Sequence, residues 1–124
     1  MLHRTIFFFT VSATLSAGST SDFFENKVRP LLATQCFACH TAAAMGGLRM
    51  DSRDALLKGG ASGPALVPGD PEKSLLIKAV RQTDDLKMPK GGKLAKSEID
   101  SLVEWVRDGA VCVRQAFTPE RVEW

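Results

Sequence analysis

The chain has 124 residues, of which 44% are hydrophobic and 24% charged, with a formal net charge of +2. That is room for one small domain of ordinary globular composition. No basic block marks a nucleic-acid footprint, no run reaches the ~18 apolar residues of a membrane-spanning helix, and no Cys follows the apolar N-terminal run where a lipid anchor would sit, so none of those three classes is expected.

In chain order, the first segment predicts an export signal over residues 1–20. His3 and Arg4 precede an apolar run from Thr5 to Leu15 with Phe7, Phe8 and Phe9, and the small residues Ser16, Ala17, Gly18 and Ser19 follow as a cleavage region. The alternative, a first buried helix, fits poorly with three adjacent Phe and no acidic residue before Asp22. Removal of the signal takes three of the seven Phe and leaves a core that is thin for its length. Domains of this size often add a disulfide, a metal or a bound cofactor.

Helical periodicity frames the mature chain. Asp22 is expected to cap a helix carrying Phe23, Phe24, Val28, Leu31 and Leu32, kinked or restarted at Pro30, which has no N–H for the helical ladder. Residues Asp51 to Leu57 and Pro71 to Arg81 each predict two or three turns, the second with Leu75, Leu76, Ala79 and Val80 as its buried stripe. Ser97 is expected to cap the last helix, with Asp100 in a variant capping box. Ile99, Leu102, Val103 and Val106 form its stripe, and Gly109 stops it. Eight of ten Gly fall between Gly46 and Gly92 and four of six Pro between Pro64 and Pro89, so the middle is turns around short elements. No alternating strand pattern appears. The fold class expected is all-α, a small helical domain with Gly/Pro-rich loops.

The residues that carry chemistry are Cys36-Phe37-Ala38-Cys39-His40. Two thiols three positions apart can add to the two vinyl groups of one haem, and the His after the second Cys can place its imidazole beneath the iron. An export signal agrees, because thioether attachment of this kind belongs to exported proteins. Two other readings compete. A thioredoxin-type dithiol opens a helix after a strand, whereas an apolar helical pattern precedes this one. Structural zinc needs four ligands, and only the distant Cys112 remains beyond Cys36, Cys39 and His40.

If haem is attached, its second axial ligand must be sulfur or nothing, because His3 leaves with the signal and His40 is then the sole histidine. Met45 is five residues from His40, and five residues span at most about 18 Å, barely enough to round a porphyrin edge. Met50 sits in an alternating apolar pair that suits packing under a loop. Met88 lies far downstream in a loop stiffened by Pro89 and is the ligand of choice. A core role as gap-filler fits poorly with its neighbours Lys87, Pro89 and Lys90.

From Phe23 to Ala110 the sequence resembles the small cytochrome c domain of planctomycete type, often found at the front of much larger secreted proteins. The likeness runs through Arg29-Pro30-Leu31-Leu32, the CxxCH, Gly46-Gly47-Leu48-Arg49, Asp51-Ser52-Arg53, Leu56-Leu57-Lys58-Gly59-Gly60, Ser62-Gly63-Pro64-Ala65, Val67-Pro68-Gly69-Asp70-Pro71, Ser74-Leu75-Leu76, Lys87-Met88-Pro89 and the last helix. The resemblance implies a cytochrome c-like fold around one covalent haem c, with Cys36 and Cys39 as thioether sites, His40 as proximal and Met88 as distal iron ligand. Two departures stand out. Lys90 replaces a second proline, and Val111-Cys112-Val113 replaces a Pro/Trp segment.

The organisation expected is therefore a signal over 1–20, a haem domain over 21–110 and a tail over 111–124. Thr118-Pro119-Glu120 in the tail looks like the start of another helix, as in a stand-alone carrier or a truncated larger protein. Cys112 is an odd thiol, expected to be adventitious or partly buried, with an intermolecular disulfide as the lesser reading. The function expected is one-electron transfer by an exported, periplasmic or extracytoplasmic carrier rather than an enzyme. The rivals are a haem-bearing binding or targeting module and a five-coordinate site with small-ligand or peroxidase-like chemistry, reached if Met88 does not ligate. From Glu72 to Lys96 basic residues outnumber acidic ones by seven to three, which would steer an acidic redox partner or simply form a solvated face. The Gly-rich loops Gly59 to Gly69 and Gly91 to Gly92 allow close backbone approach to a macrocycle or simple turns.

Overall fold

A computed structural model of the chain describes residues 20–112. The expected signal up to residue 19 and the tail from residue 113, including Thr118-Pro119-Glu120, lie outside the described residues. Within them the chain is all-α. Five α-helices form, α1 (Thr20–Phe23), α2 (Arg29–Gln35), α3 (Arg53–Lys58), α4 (Leu75–Arg81) and α5 (Lys96–Arg107), with 3-10 turns at Met45–Gly47 and Pro71–Lys73. No strand forms among the described residues, and Gly60 and Gly63 pair as an isolated antiparallel bridge.

Pro30 neither breaks nor sharply restarts the first helix. The carbonyl of Asn26 lacks the N–H that Pro30 cannot supply, and the chain adapts by running Phe24–Val28 as a π-helical segment, the N–H of Arg29 reaching back to Phe24 O. α1, this segment and α2 follow without a gap, so Phe24, Val28, Leu31 and Leu32 fall on one buried stripe as expected.

Four helix starts differ from expectation. α1 already begins at Thr20, so Asp22 lies in its first turn rather than capping it. α3 begins after Ser52, whose Oγ accepts from the N–H of Ala55 at 3.0 Å, because a Ser in extended backbone reaches the orphan donor three residues on. The Pro71 to Arg81 stretch is split at Ser74, which is extended (φ −81°, ψ 120°). Ser74 is fully buried there, its Oγ accepting from Val67 N–H at 2.9 Å and donating to Asp70 O at 2.9 Å. This hydroxyl satisfies loop backbone that a continuous helix would leave unpaired. The cap of α5 lies two residues before the expected Ser97. Ala95 is its cap, and the Glu98 carboxylate accepts from Ala95 N–H at 2.9 Å, while Asp100 pairs with Lys96 at 2.7 Å instead.

The end of α5 is as expected. Gly109 (φ +100°) lets its own N–H bond Val106 O at 3.0 Å and that of Ala110 bond Trp105 O at 2.8 Å, the two bonds of a Schellman stop. Arg53 caps the same turn from α3, donating to the carbonyls of Ala110 at 3.0 Å and Gly109 at 3.3 Å.

The core lies where α5 crosses the N-terminal helices and α4. Phe24 and Trp105 meet with ring centroids 5.5 Å apart, and Leu32, Leu56, Leu66, Ile77, Leu102 and Val106 close around them. Each such side chain contributes roughly 1.5–3 kcal/mol through burial. Cys112 belongs to this core at 3% exposure, and burial, the largest influence, pushes its thiol up to about 12. It is a protonated packing residue rather than a thiol presented at the surface.

Candidate cofactor site

On the other side of Leu76 and Val80 the core gives way to a cavity of about 400 Å³, within the usual range for a cofactor or ligand site. Its two sides are built by different parts of the chain. One is the segment that leaves α2. The N–H of Cys36 bonds Leu32 O at 2.9 Å and closes the helix, and the carbonyl of Cys36 then accepts from Cys39 N–H at 3.3 Å and from His40 N–H at 3.0 Å. The i, i+3 spacing inside this turn puts both thiols against the same cavity.

His40 is held at both ends. Its carbonyl accepts from Met50 N–H at 2.7 Å, and its Nδ1 lies 3.2 Å from Leu48 O. A carbonyl only accepts, so Nδ1 carries a proton, and in the neutral ring that leaves the Nε2 lone pair for a metal. A ring whose far nitrogen donates to a backbone carbonyl is oriented and made more basic as a ligand. Leu48 is itself fixed by its neighbours, since Gly46 O accepts from Ala61 N–H at 2.8 Å. A Cβ on Gly60 would stand 2.5 Å from Gly46 O and 2.9 Å from Leu48 N, so only glycine allows this approach.

The second side is α4, with Leu75, Leu76, Ala79 and Val80 facing the cavity. Met88 arrives on a loop after α4 and is docked there by its N–H, which bonds Ala79 O at 3.0 Å. All four residues singled out from the sequence, Cys36, Cys39, His40 and Met88, thus line one cavity. So do the two other candidate thioethers. Met50 is 2% exposed and belongs to the core, as its apolar pattern indicated, while Met45 is 54% exposed at the rim. The N–H of Met45 bonds Cys39 O, which keeps it with the CxxCH turn, whereas Met88 comes from the wall opposite in sequence. The carbonyl of Leu48 was not foreseeable from residue types, because every residue carries one.

Residues 36–92 match a family model described as planctomycete cytochrome C. Over that segment the chain is similar to the planctomycete cytochrome C family. The match takes in all four residues above and is shorter than the likeness read from Phe23 to Ala110. Searches of curated proteins and of solved structures find no match to the chain.

A cytochrome c domain binds haem covalently, and the residues of this cavity suit that group. Its lining is mostly aliphatic, no Asp or Glu borders it, and its donors are two thiols, an imidazole with Nε2 unprotonated and thioethers, the set that haem c uses. The rival readings of the CxxC fare worse. Burial, with the neighbouring Cys39 second, pushes the Cys36 thiol up to about 11, opposite to the depressed value of a thioredoxin-type dithiol, and the pair ends a helix rather than opening one. Among the described residues no three His, Cys, Asp or Glu side chains gather as a metal cluster, as structural zinc requires. Cytochrome c domains of this kind are typically extracytoplasmic, and no described helix is long and apolar enough to cross a membrane.

Proposed function

We propose that the protein is an exported monohaem c-type cytochrome that passes single electrons, with one haem c tethered by Cys36 and Cys39 and its iron held by His40 and Met88. The observation that carries this reading is the convergence of those four side chains, from two separated stretches of sequence, on one apolar cavity. When bound, haem supplies a one-electron iron couple whose potential a thioether ligand raises. The protein's part is to orient and exclude. The Leu48 carbonyl orients the His40 ring, the apolar α4 wall borders the site, and Met88 as second ligand would leave the iron no open position for peroxide or dioxygen. This is the arrangement of a carrier rather than of an enzyme.

Met88→Ala tests the assignment. The variant is expected to lose the sulfur-to-iron charge-transfer band, to show a lower reduction potential and to bind added imidazole or carbon monoxide. Met50→Ala should keep the band and cost stability instead, about 2–5 kcal/mol for a buried Met. The reverse pattern would overturn the choice of Met88.

The distal loop also supplies the surface on which an acidic redox partner would dock. Lys87, Lys90 and Lys93 are exposed, Lys90 borders the cavity, and none of the three pairs with a carboxylate among the described residues. Changing all three to Glu should slow electron exchange with an acidic acceptor in stopped flow and flatten its dependence on salt, since the field at such a surface is screened over roughly 8 Å at physiological ionic strength. Thermal stability should barely move, because exposed charges contribute under ~1 kcal/mol per pair. Unchanged rates with parallel salt slopes would assign these lysines to solubility alone.

A further inference from the structure

The loop that carries Met88 has little to hold it by burial. Thr83 to Lys87 and Lys90 to Lys93 are exposed, and Met88 and Pro89 are only half-buried. Segments of this kind open locally unless hydrogen bonds retain them. One is the bond from Met88 N–H to Ala79 O, and two more come from the side chain of the residue that follows α4. Gln82 sits in left-handed backbone (φ 56°, ψ 35°), and its N–H is shared between Lys78 O and Ala79 O at 3.1 and 3.2 Å. Its side-chain amide has two hydrogens. Nε2 donates to Met88 O at 3.1 Å and to Gly92 O at 2.6 Å.

Met88 is consequently pinned through both of its backbone polar groups to the last turn of α4, by Ala79 O on the N–H side and by Gln82 on the carbonyl side. Glycine or asparagine is the usual residue for a left-handed helix stop, so the backbone conformation alone gives no reason for Gln. The length of the Gln side chain does, because it spans from the stop to two carbonyls of the loop four residues apart. We propose that Gln82 is the positioning residue of the distal ligand, setting how firmly the Met88 thioether is held at the cavity and therefore how readily an external ligand displaces it. The inference rests on the reading of Met88 as the iron ligand.

The test uses the haem-loaded protein and the variants Gln82→Gly, Gln82→Glu and Met88→Ala, followed by the sulfur-to-iron charge-transfer band, by imidazole titration and by thermal melts. Gln82→Gly relieves the left-handed backbone and removes both donors, so a purely backbone role predicts an unchanged or higher melting temperature with the band and imidazole affinity intact. The expected result is a weakened band and a rise in imidazole affinity of roughly tenfold, as the loss of two loop hydrogen bonds allows. Gln82→Glu keeps the length but faces two carbonyl oxygens with a carboxylate, and is expected to exceed Gly in both respects. It also serves as the second readout should the glycine variant be poorly folded. Band and affinity within twofold of wild type in both Gln82 variants, alongside loss of the band in Met88→Ala, would overturn the role of Gln82 alone. Retention of the band in Met88→Ala would overturn the ligand reading, and the role of Gln82 with it.

Discussion

Replacing both Cys36 and Cys39 by Ser is expected to yield protein with no haem surviving acid-acetone extraction and without a cooperative thermal transition, whereas wild type exported beside a c-type maturation system retains one haem and melts sharply. The thioether chemistry explains the first half and the packing explains the second. Met50, Ala65, Leu76, Val80 and Leu94 belong at once to the hydrophobic core and to the cavity wall, so one face of the core borders the cavity. At about 24 cal/mol per Å³, a closed, dry void of about 400 Å³ would cost on the order of 10 kcal/mol, as much as the whole stability of a typical small domain. The cavity is open on one side and the real cost is smaller, yet filling it still weighs heavily in a domain with so few aromatic core residues. A double-Ser variant that melts at the wild-type temperature would show that the protein fold stands without its cofactor.

The features that were legible in the sequence are those in which residue type and local spacing decide the outcome. The stripe of α5 is one, with Leu102, Val103 and Val106 buried and Gly109 closing the helix in the conformation that glycine favours. The CxxCH is another, because the chemistry needs those groups at that separation whatever surrounds them. Helix starts were less legible. Both Glu98 and Asp100 are placed to serve a capping box, and it is Glu98 that accepts from Ala95 N–H while Asp100 pairs with Lys96. The break at Ser74 depended on backbone donors in the preceding loop, which no periodicity records.

Around the candidate site the hidden part is backbone. Nothing in the identity of Leu48 announces that its carbonyl would hold His40, and nothing in Arg81-Gln82-Thr83 announces a left-handed stop with a bridging amide. The Gly-rich loops are expected to approach a macrocycle or to form turns, and at Gly59 and Gly60 the backbone does make a close approach. The surface approached is the protein's own chain, at Gly46 to Leu48 and at Gly63 and Pro64.

Gly59→Ala is expected to be the most damaging single substitution outside the cofactor-binding residues, costing more than about 3 kcal/mol in denaturant unfolding. Gly59 has φ +72° and ψ −162°, a region that is essentially closed to side chains and costs about 1–3 kcal/mol by itself. The larger effect is steric. A Cβ there would lie 1.9 Å from Gly63 O, 2.5 Å from Gly63 C and 2.6 Å from Pro64 Cα, all backbone atoms with no flexible end to swing away. Nor can the strand of chain beyond retreat easily, since Gly60 N–H bonds Gly63 O at 3.2 Å, Gly63 N–H bonds Gly60 O at 3.0 Å and Ala65 N–H bonds Leu56 O at 2.9 Å. A shift in this turn passes through Ala61 to Gly46 and so to the Leu48 carbonyl that orients His40, which makes a weakened haem spectrum the second expected sign. Gly91→Ala is the matched comparison. Gly91 also has positive φ (+78°), but nothing lies within 4 Å of its would-be Cβ. Its cost should be limited to the left-handed penalty, about 1–2 kcal/mol, with an unchanged spectrum. Equal losses for the two variants would mean that the close approach at Gly59 adds nothing beyond backbone strain, and that the proximal side of the cavity is held by other contacts.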